Sequence, residues 1–119
     1  MNPATTVSLH PYFKCHEGKL GDFKALLPQF VELTSKEEKC HYYDFTICGD
    51  IVFCREAYEG AEGTLAHLQN VADLLKQGLD VADLIRLEVH GPADELEKLK
   101  GPLNDLNPDF YEFQCGVGS

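Results

Sequence analysis

Apolar residues recur along this chain in two rhythms, and the rhythms alternate. Val7, Leu9 and Phe13 fall on one side of the run VSLHPYFK from Val7 to Lys14, the period-two pattern of a strand. Pro11 has no amide proton to donate, so the spacing predicts an edge position or a bulge there. From Lys19 to Glu38 the period changes. Leu20, Phe23, Leu26, Leu27, Phe30 and Leu33 lie three and four residues apart and draw one helical stripe. The stripe stays in phase past Pro28, which predicts one bent helix rather than two. Cys40 to Ile47 is rich in aromatic and β-branched residues, Gly49-Asp50 is a Gly-first tight turn, and Ile51 to Tyr58 answers as the return strand of a hairpin. A second helix is predicted over Ala61 to Gln77, with Leu65, Leu68, Ala72 and Leu75 in phase and Gly78 closing it. Leu84 to His90 reads as a fourth strand. Gly91-Pro92 then leads into a short helix carrying Leu96 and Leu99, which stops near Gly101-Pro102, and Asp109 to Cys115 reads as a last strand.

The order is β-α-β-β-α-β with a short helix and one strand appended. This is the ferredoxin-like pattern of an α+β fold, in one domain spanning residues 1–119, with both long helices on one face of an antiparallel sheet. Strict alternation along the second strand sets Cys40, Tyr42, Asp44, Thr46 and Cys48 on one side and His41, Tyr43, Phe45 and Ile47 on the other. Both sides carry large side chains. A sheet covered by helices on one face and still aromatic on the other predicts a homodimer packed sheet on sheet.

Composition narrows the partners. The formal net charge is −10, which repels phosphate backbones and anionic headgroups, so neither nucleic acid nor a membrane is expected to bind. No apolar run is long enough to cross a bilayer. The start, MNPATTVSLHPYF, lacks the basic then apolar order of a secretory signal, which makes the cytoplasm the expected location. Five cysteines (Cys15, Cys40, Cys48, Cys54 and Cys115) include no CxxC spacing, and the pairs Cys15-His16 and Cys40-His41 do not repeat as structural zinc ligands do, so no metal site is expected. Ser8 and Ser35 have no His/Asp grouping beside them. Glu59-Gly60-Ala61-Glu62-Gly63 sets acids where a phosphate loop would need neutral donors.

Three segments carry a resemblance. The hairpin with Arg55 to Gly60 (REAYEG), the Leu65 to Leu68 segment (LAHL), and His90 to Leu99 (HGPADELEKL) resemble the antibiotic biosynthesis monooxygenase domains and the quinol monooxygenase-type proteins of the dimeric α+β barrel superfamily. The resemblance covers Val7 to Cys115. It implies two protomers packed sheet to sheet and a monooxygenase that oxidises a small aromatic or quinol-like substrate with O2, using no metal, flavin or haem cofactor. The haem-degrading relatives depend on a tryptophan, and this chain has none.

By that resemblance His67 faces the space between the second helix and the sheet, and its spacing agrees, since Thr64, Val71 and Leu74 share its stripe. An imidazole there can take a phenol proton and so is the catalytic candidate. Arg55 and Glu56 point to opposite faces of the return strand, so one of them points inward. Arg55 could hold a developing oxyanion or fix strand register. Tyr42, Tyr43, Tyr58 and Tyr12 are strand aromatics suited to stacking on a flat ligand, or to core and interface packing. His10 and His90 border the expected pocket, Arg86 and Glu88 form a charged row with His90, and Asp44 is placed to pair with a histidine. The alternative reading is a non-catalytic dimeric domain that binds a small ligand or serves in stress. An isomerase or lyase using His67 as a proton shuttle fits the same residues.

Overall fold

The computed structural model describes residues 1–117. Five strands form one sheet: β1 (Thr6–Cys15), β2 (Cys40–Cys48), β3 (Ile51–Glu59), β4 (Ala82–Gly91) and β5 (Asp109–Glu112). Their order across the sheet is β2-β3-β1-β4-β5. The first four strands are antiparallel and follow the ferredoxin-like order. β5 pairs parallel to β4, which makes the sheet mixed rather than wholly antiparallel. Four helices lie in the connections: α1 (Leu20–Thr34), α2 (Gly60–Asn70), α3 (Ala72–Leu79) and α4 (Ala93–Leu99), followed by a 3-10 turn at Asn104–Leu106. No helix among the described residues is long and apolar enough to cross a membrane.

Pro28 lies inside α1, which continues past it as one helix. The hairpin turn has positive φ at Gly49 and not at Asp50, as the Gly-first turn requires. Pro11 does not lie on an edge, because β1 is the central strand, between β3 and β4. Instead the β1–β3 pairing skips His10 and Pro11 while keeping its register on either side. On the other flank a bulge opens between Tyr12 and Phe13, where β4 inserts Ile85. That extra residue leaves Ile85 exposed and turns both Leu84 and Leu87 toward the helices. A second bulge, between Cys40 and Tyr42, breaks the simple alternation of β2. Cys40 therefore packs into the core on the same side as Tyr43 and Phe45, not beside Tyr42 and Asp44.

The second long helix divides at Val71, whose φ of −103° and ψ of 10° leave the helical region. Val71 itself is buried with Leu26, Phe30 and Leu74. Gly78 lies in the last turn of α3, one residue before its end and without the positive φ of a glycine terminator, and a Cβ there would lie 3.3 Å from the Phe23 ring. It allows α3 to approach α1 closely. The inward face of α2 is likewise its small-residue face: Gly60, Ala61, Gly63 and Thr64, with His67. A Cβ on Gly63 would sit 3.0 Å from Lys39 Cβ and 3.2 Å from Tyr58 Cβ, closer than side chains normally pack. Leu65 and Leu68 are only partly buried and pack against the core cluster that includes Leu96, Leu99 and Leu103.

Candidate functional site

The close seating of α2 on β3 delivers His67 to the sheet. The imidazole is 2% exposed. β3 alternates Val52, Cys54, Glu56 and Tyr58 toward the helices, so of the pair Arg55 and Glu56 it is the acid that points inward. Glu56 is 4% exposed. Its cross-strand partner on β2 is Tyr43. Glu37, in the turn between α1 and β2, completes the group.

These side chains form a row. The Tyr58 hydroxyl donates to Glu56 Oε1 at 2.5 Å. His67 Nε2 stands 3.3 Å from the same oxygen, and His67 Nδ1 stands 2.9 Å from Glu37 Oε2. Asn70, one turn along α2, donates from Nδ2 to Glu37 Oε2 at 2.8 Å and to the Leu33 carbonyl at 3.0 Å, which fixes the Glu37 carboxylate. The Tyr58 and Tyr43 rings hold the imidazole plane, with ring centres 4.7 and 5.1 Å away. Each ring nitrogen thus looks at a carboxyl oxygen, and a proton can pass between buried Glu56 and partly exposed Glu37 through the imidazole.

Burial dominates the electrostatics. It pushes the Glu56 carboxyl above the usual carboxylate range, against the opposing pull of His67 and of the Tyr58 hydrogen bond. Burial likewise pushes the Tyr43 and Tyr58 hydroxyls and the Cys54 thiol far upward, so all three stay protonated. Cys54 is therefore no ready nucleophile. Glu56 lacks a Lys or Arg partner, and its neighbours are His67, Tyr58 and Cys54. A carboxyl in that setting is a reservoir for one proton.

Glu56, His67 and Tyr43 open onto a cavity of about 50 Å3 between sheet and helices. The rest of its wall is apolar, with Pro11, Phe30, Phe45 and Leu87 among the lining residues. About one water centre needs ~10–15 Å3, so the space takes a few small groups, and a larger guest must move side chains. No grouping of three or more His, Cys, Asp or Glu able to hold a metal occurs among the described residues.

Known structures place this geometry. MupZ from Pseudomonas fluorescens superposes with a TM-score of 0.92, is 43% identical, and is matched over 97% of this chain and 95% of its own. The chain belongs to the MupZ family, on the antibiotic biosynthesis monooxygenase-like fold. A candidate antibiotic biosynthesis monooxygenase from Chloroflexus aurantiacus matches with a TM-score of 0.62 at 20% identity, over 75% of this chain and 94% of its own. Another from Caulobacter crescentus matches at 0.65 and 12%, over 73% and 89%. These two establish the fold alone. No protein-family model and no curated protein sequence matches the chain.

Of the residues singled out from the sequence, the structure brings together His67, Tyr43 and Tyr58. Tyr42, Arg55 and His10 lie on the opposite, open face of the sheet, outside the cavity. There His10 Nε2 meets the Ser8 hydroxyl at 2.9 Å and its ring stands 4.7 Å from that of His90, while Arg55 faces Asp44 at 3.4 Å. Glu37 and Asn70 went unremarked in the sequence. The sole signal for Glu37 is the mixed-charge stretch Lys36-Glu37-Glu38-Lys39, which reads as solvated surface, and Asn70 has none.

The first turn of α2 is closed to anions. Glu95 Oε1 accepts from the Ala61 amide at 2.8 Å, so an acid from α4 already occupies that helix end.

Proposed function

We propose that this protein is an acid–base enzyme that moves a proton on a small, largely apolar substrate held against Glu56 and His67. What supports the reading is one observation: a fully buried carboxyl without a cationic side chain is set in line with a histidine whose far nitrogen is fixed by a second carboxylate. Burying an acid in this way costs stability, and folds keep such groups where they hold or transfer protons. Glu56 in its neutral form donates to a substrate oxygen. His67 takes or returns the proton through Nε2, and Glu37 stabilises the imidazolium through Nδ1, the role an orienting carboxylate has in a catalytic triad. Tyr58 holds Glu56 in place. The chemistry that follows is isomerisation, elimination or addition next to an oxygen-bearing carbon.

The second reading, a cofactor-independent monooxygenase, draws on the likeness to the two candidate monooxygenases. His67 would then withdraw a proton from a phenol or quinol, and the electron-rich anion would react with O2. We further propose a homodimer formed through the open face of the sheet, where Tyr12, Phe53, His10 and Tyr42 are half buried, working in the cytoplasm.

One experiment separates the two chemistries. The protein is incubated in D2O with a panel of neutral ketones and, in parallel, with hydroquinones under an oxygen electrode. The account expects deuterium to enter carbon adjacent to the carbonyl faster than in buffer, and expects His67→Ala and Glu56→Gln to abolish the gain. Oxygen uptake with hydroquinones and no deuterium exchange would replace the first reading by the second. Neither activity would support a non-catalytic ligand-binding role.

A further inference from the structure

The cavity wall is divided into two unlike parts. Every polar side chain in it (Tyr43, Glu56 and His67) comes from adjacent positions on β2, β3 and α2, so polarity is confined to one end. The remaining wall is hydrocarbon and sulfur, with no Lys, Arg, Asn, Gln, Ser or Thr. Its half-exposed members are Leu68 on α2, Leu75 on α3, Leu84 on β4 and Leu106 on the 3-10 turn, together with Tyr43 and Phe45 at the polar end. The four leucines come from four different elements that converge on one cavity. This is the leucine rim of the cavity. The β4 bulge at Ile85 supplies one of its sides by turning Leu84 inward, and the break at Val71 lies between the two helices that supply two others.

Resting on the acid–base reading, we infer that the substrate is a narrow, hydrocarbon-rich molecule that carries one uncharged acceptor oxygen of the ketone, ester or ether type and has no anionic head. It enters through the leucine rim with the oxygen leading. Charge supports this. An anion brought to Glu56 meets no Lys or Arg in the wall, faces Glu37 behind His67, and loses its hydration among apolar side chains. A neutral oxygen can accept from the Glu56 carboxyl in its protonated form, a donor that stabilises a developing oxyanion in an apolar site. The one-ended distribution also argues against a hydroquinone, whose second hydroxyl would be left among leucines without a partner.

The test is a pair of ligands of equal chain length, 2-octanone and octanoate, titrated into the full-length protein at about neutral pH, where octanoate is ionised, and followed by amide NMR. The inference expects 2-octanone to shift the amides of Glu56, His67, Leu68 and Leu106 saturably. It expects octanoate to bind about tenfold or more weakly, since one such factor is ~1.4 kcal/mol and the desolvation of a carboxylate exceeds that. Leu106→Glu, at the half-exposed rim, is expected to weaken 2-octanone binding while leaving the spectrum of the open face unchanged. Octanoate binding as tightly as the ketone would overturn the inference. So would shifts confined to Tyr42, His90 and Tyr111 on the open face, or the absence of saturable binding by either ligand. Binding and turnover report separately: selective ketone binding without deuterium exchange sinks the acid–base reading and leaves the ligand class standing, and exchange with a preference for anions does the reverse.

Discussion

Two histidine–carboxylate clusters lie back to back on this sheet. On the helix side His67 sits between Glu37 and Glu56 with both tyrosine rings against it, and the imidazole is 2% exposed. On the open side His90 Nε2 meets Glu88 Oε1 at 3.0 Å, Arg86 Nε donates to Glu88 Oε2 at 2.7 Å, and the Tyr111 ring stacks on His90 at 4.5 Å. The residue types are nearly the same and the energetics are opposite. Burial raises Glu56 and favours its protonated form. The Arg86 and His90 hydrogen bonds lower Glu88 and keep its proton off. An acid beside a histidine is therefore not one motif. The presence of a cation and the access of water decide whether it stores a proton or anchors an ion pair.

The largest expected break in this comparison is His67→Ala. It removes the partner of buried Glu56 and partly exposed Glu37 and leaves a void between two tyrosine rings, so it should cost about 3 kcal/mol of stability in a denaturant titration. Tyr58→Phe should cost about 1 to 3 kcal/mol, because it deletes the hydroxyl bonded to a buried carboxyl and nothing else.

The pH dependence has opposite signs on the two faces. Glu56 has its pKa raised by folding, so its contribution is most favourable below the unfolded value of about 4.3 and is lost as pH rises through the folded one. Glu56→Gln, which keeps the shape and a neutral amide, should therefore gain on the wild type as pH increases from about 5 to 8 in thermal melts. Glu88 has its pKa lowered, so its contribution is present above the unfolded value and is lost as pH falls through the folded one. Glu88→Gln should cost less than about 1 kcal/mol near neutrality, since its partners are partly exposed, and the cost should shrink on acidification. Parallel slopes for the two variants would mean that the faces do not differ as described.

The architecture was legible because each element announces itself by period. The α1 stripe, the Gly49-Asp50 turn and the appended short helix stand where the pattern sets them, while the second helix divides at Val71 and the last strand stops at Glu112 rather than Cys115. What the pattern missed has physical causes. The two β-bulges shift single residues, Ile85 and His41, and leave no mark in composition, so Cys40 was assigned to the wrong face. Hydrophobicity favoured the Leu65 and Leu68 side of α2 as the buried one. Close packing of a helix on a sheet selects small residues instead, and Gly63 and Thr64 turn the His67 stripe inward. His67 was readable as a candidate because it shares that stripe. Glu56 was readable only as one of two choices on a strand. Glu37 was not readable, since its position depends on how the turn after α1 folds back onto α2.

The central claim is that Glu56 holds a proton that an exposed glutamate would have lost. Carbon-13 labelling of the glutamate side chains, with Glu56→Gln used to assign the Glu56 carboxyl signal, lets its titration be followed directly by NMR. The account predicts a midpoint well above the usual carboxylate value of about 4.3, with Glu88 titrating below it in the same sample. A Glu56 midpoint at or below that value would mean that the buried carboxyl is ionised and paired, and the proton reservoir on which the functional reading depends would not exist.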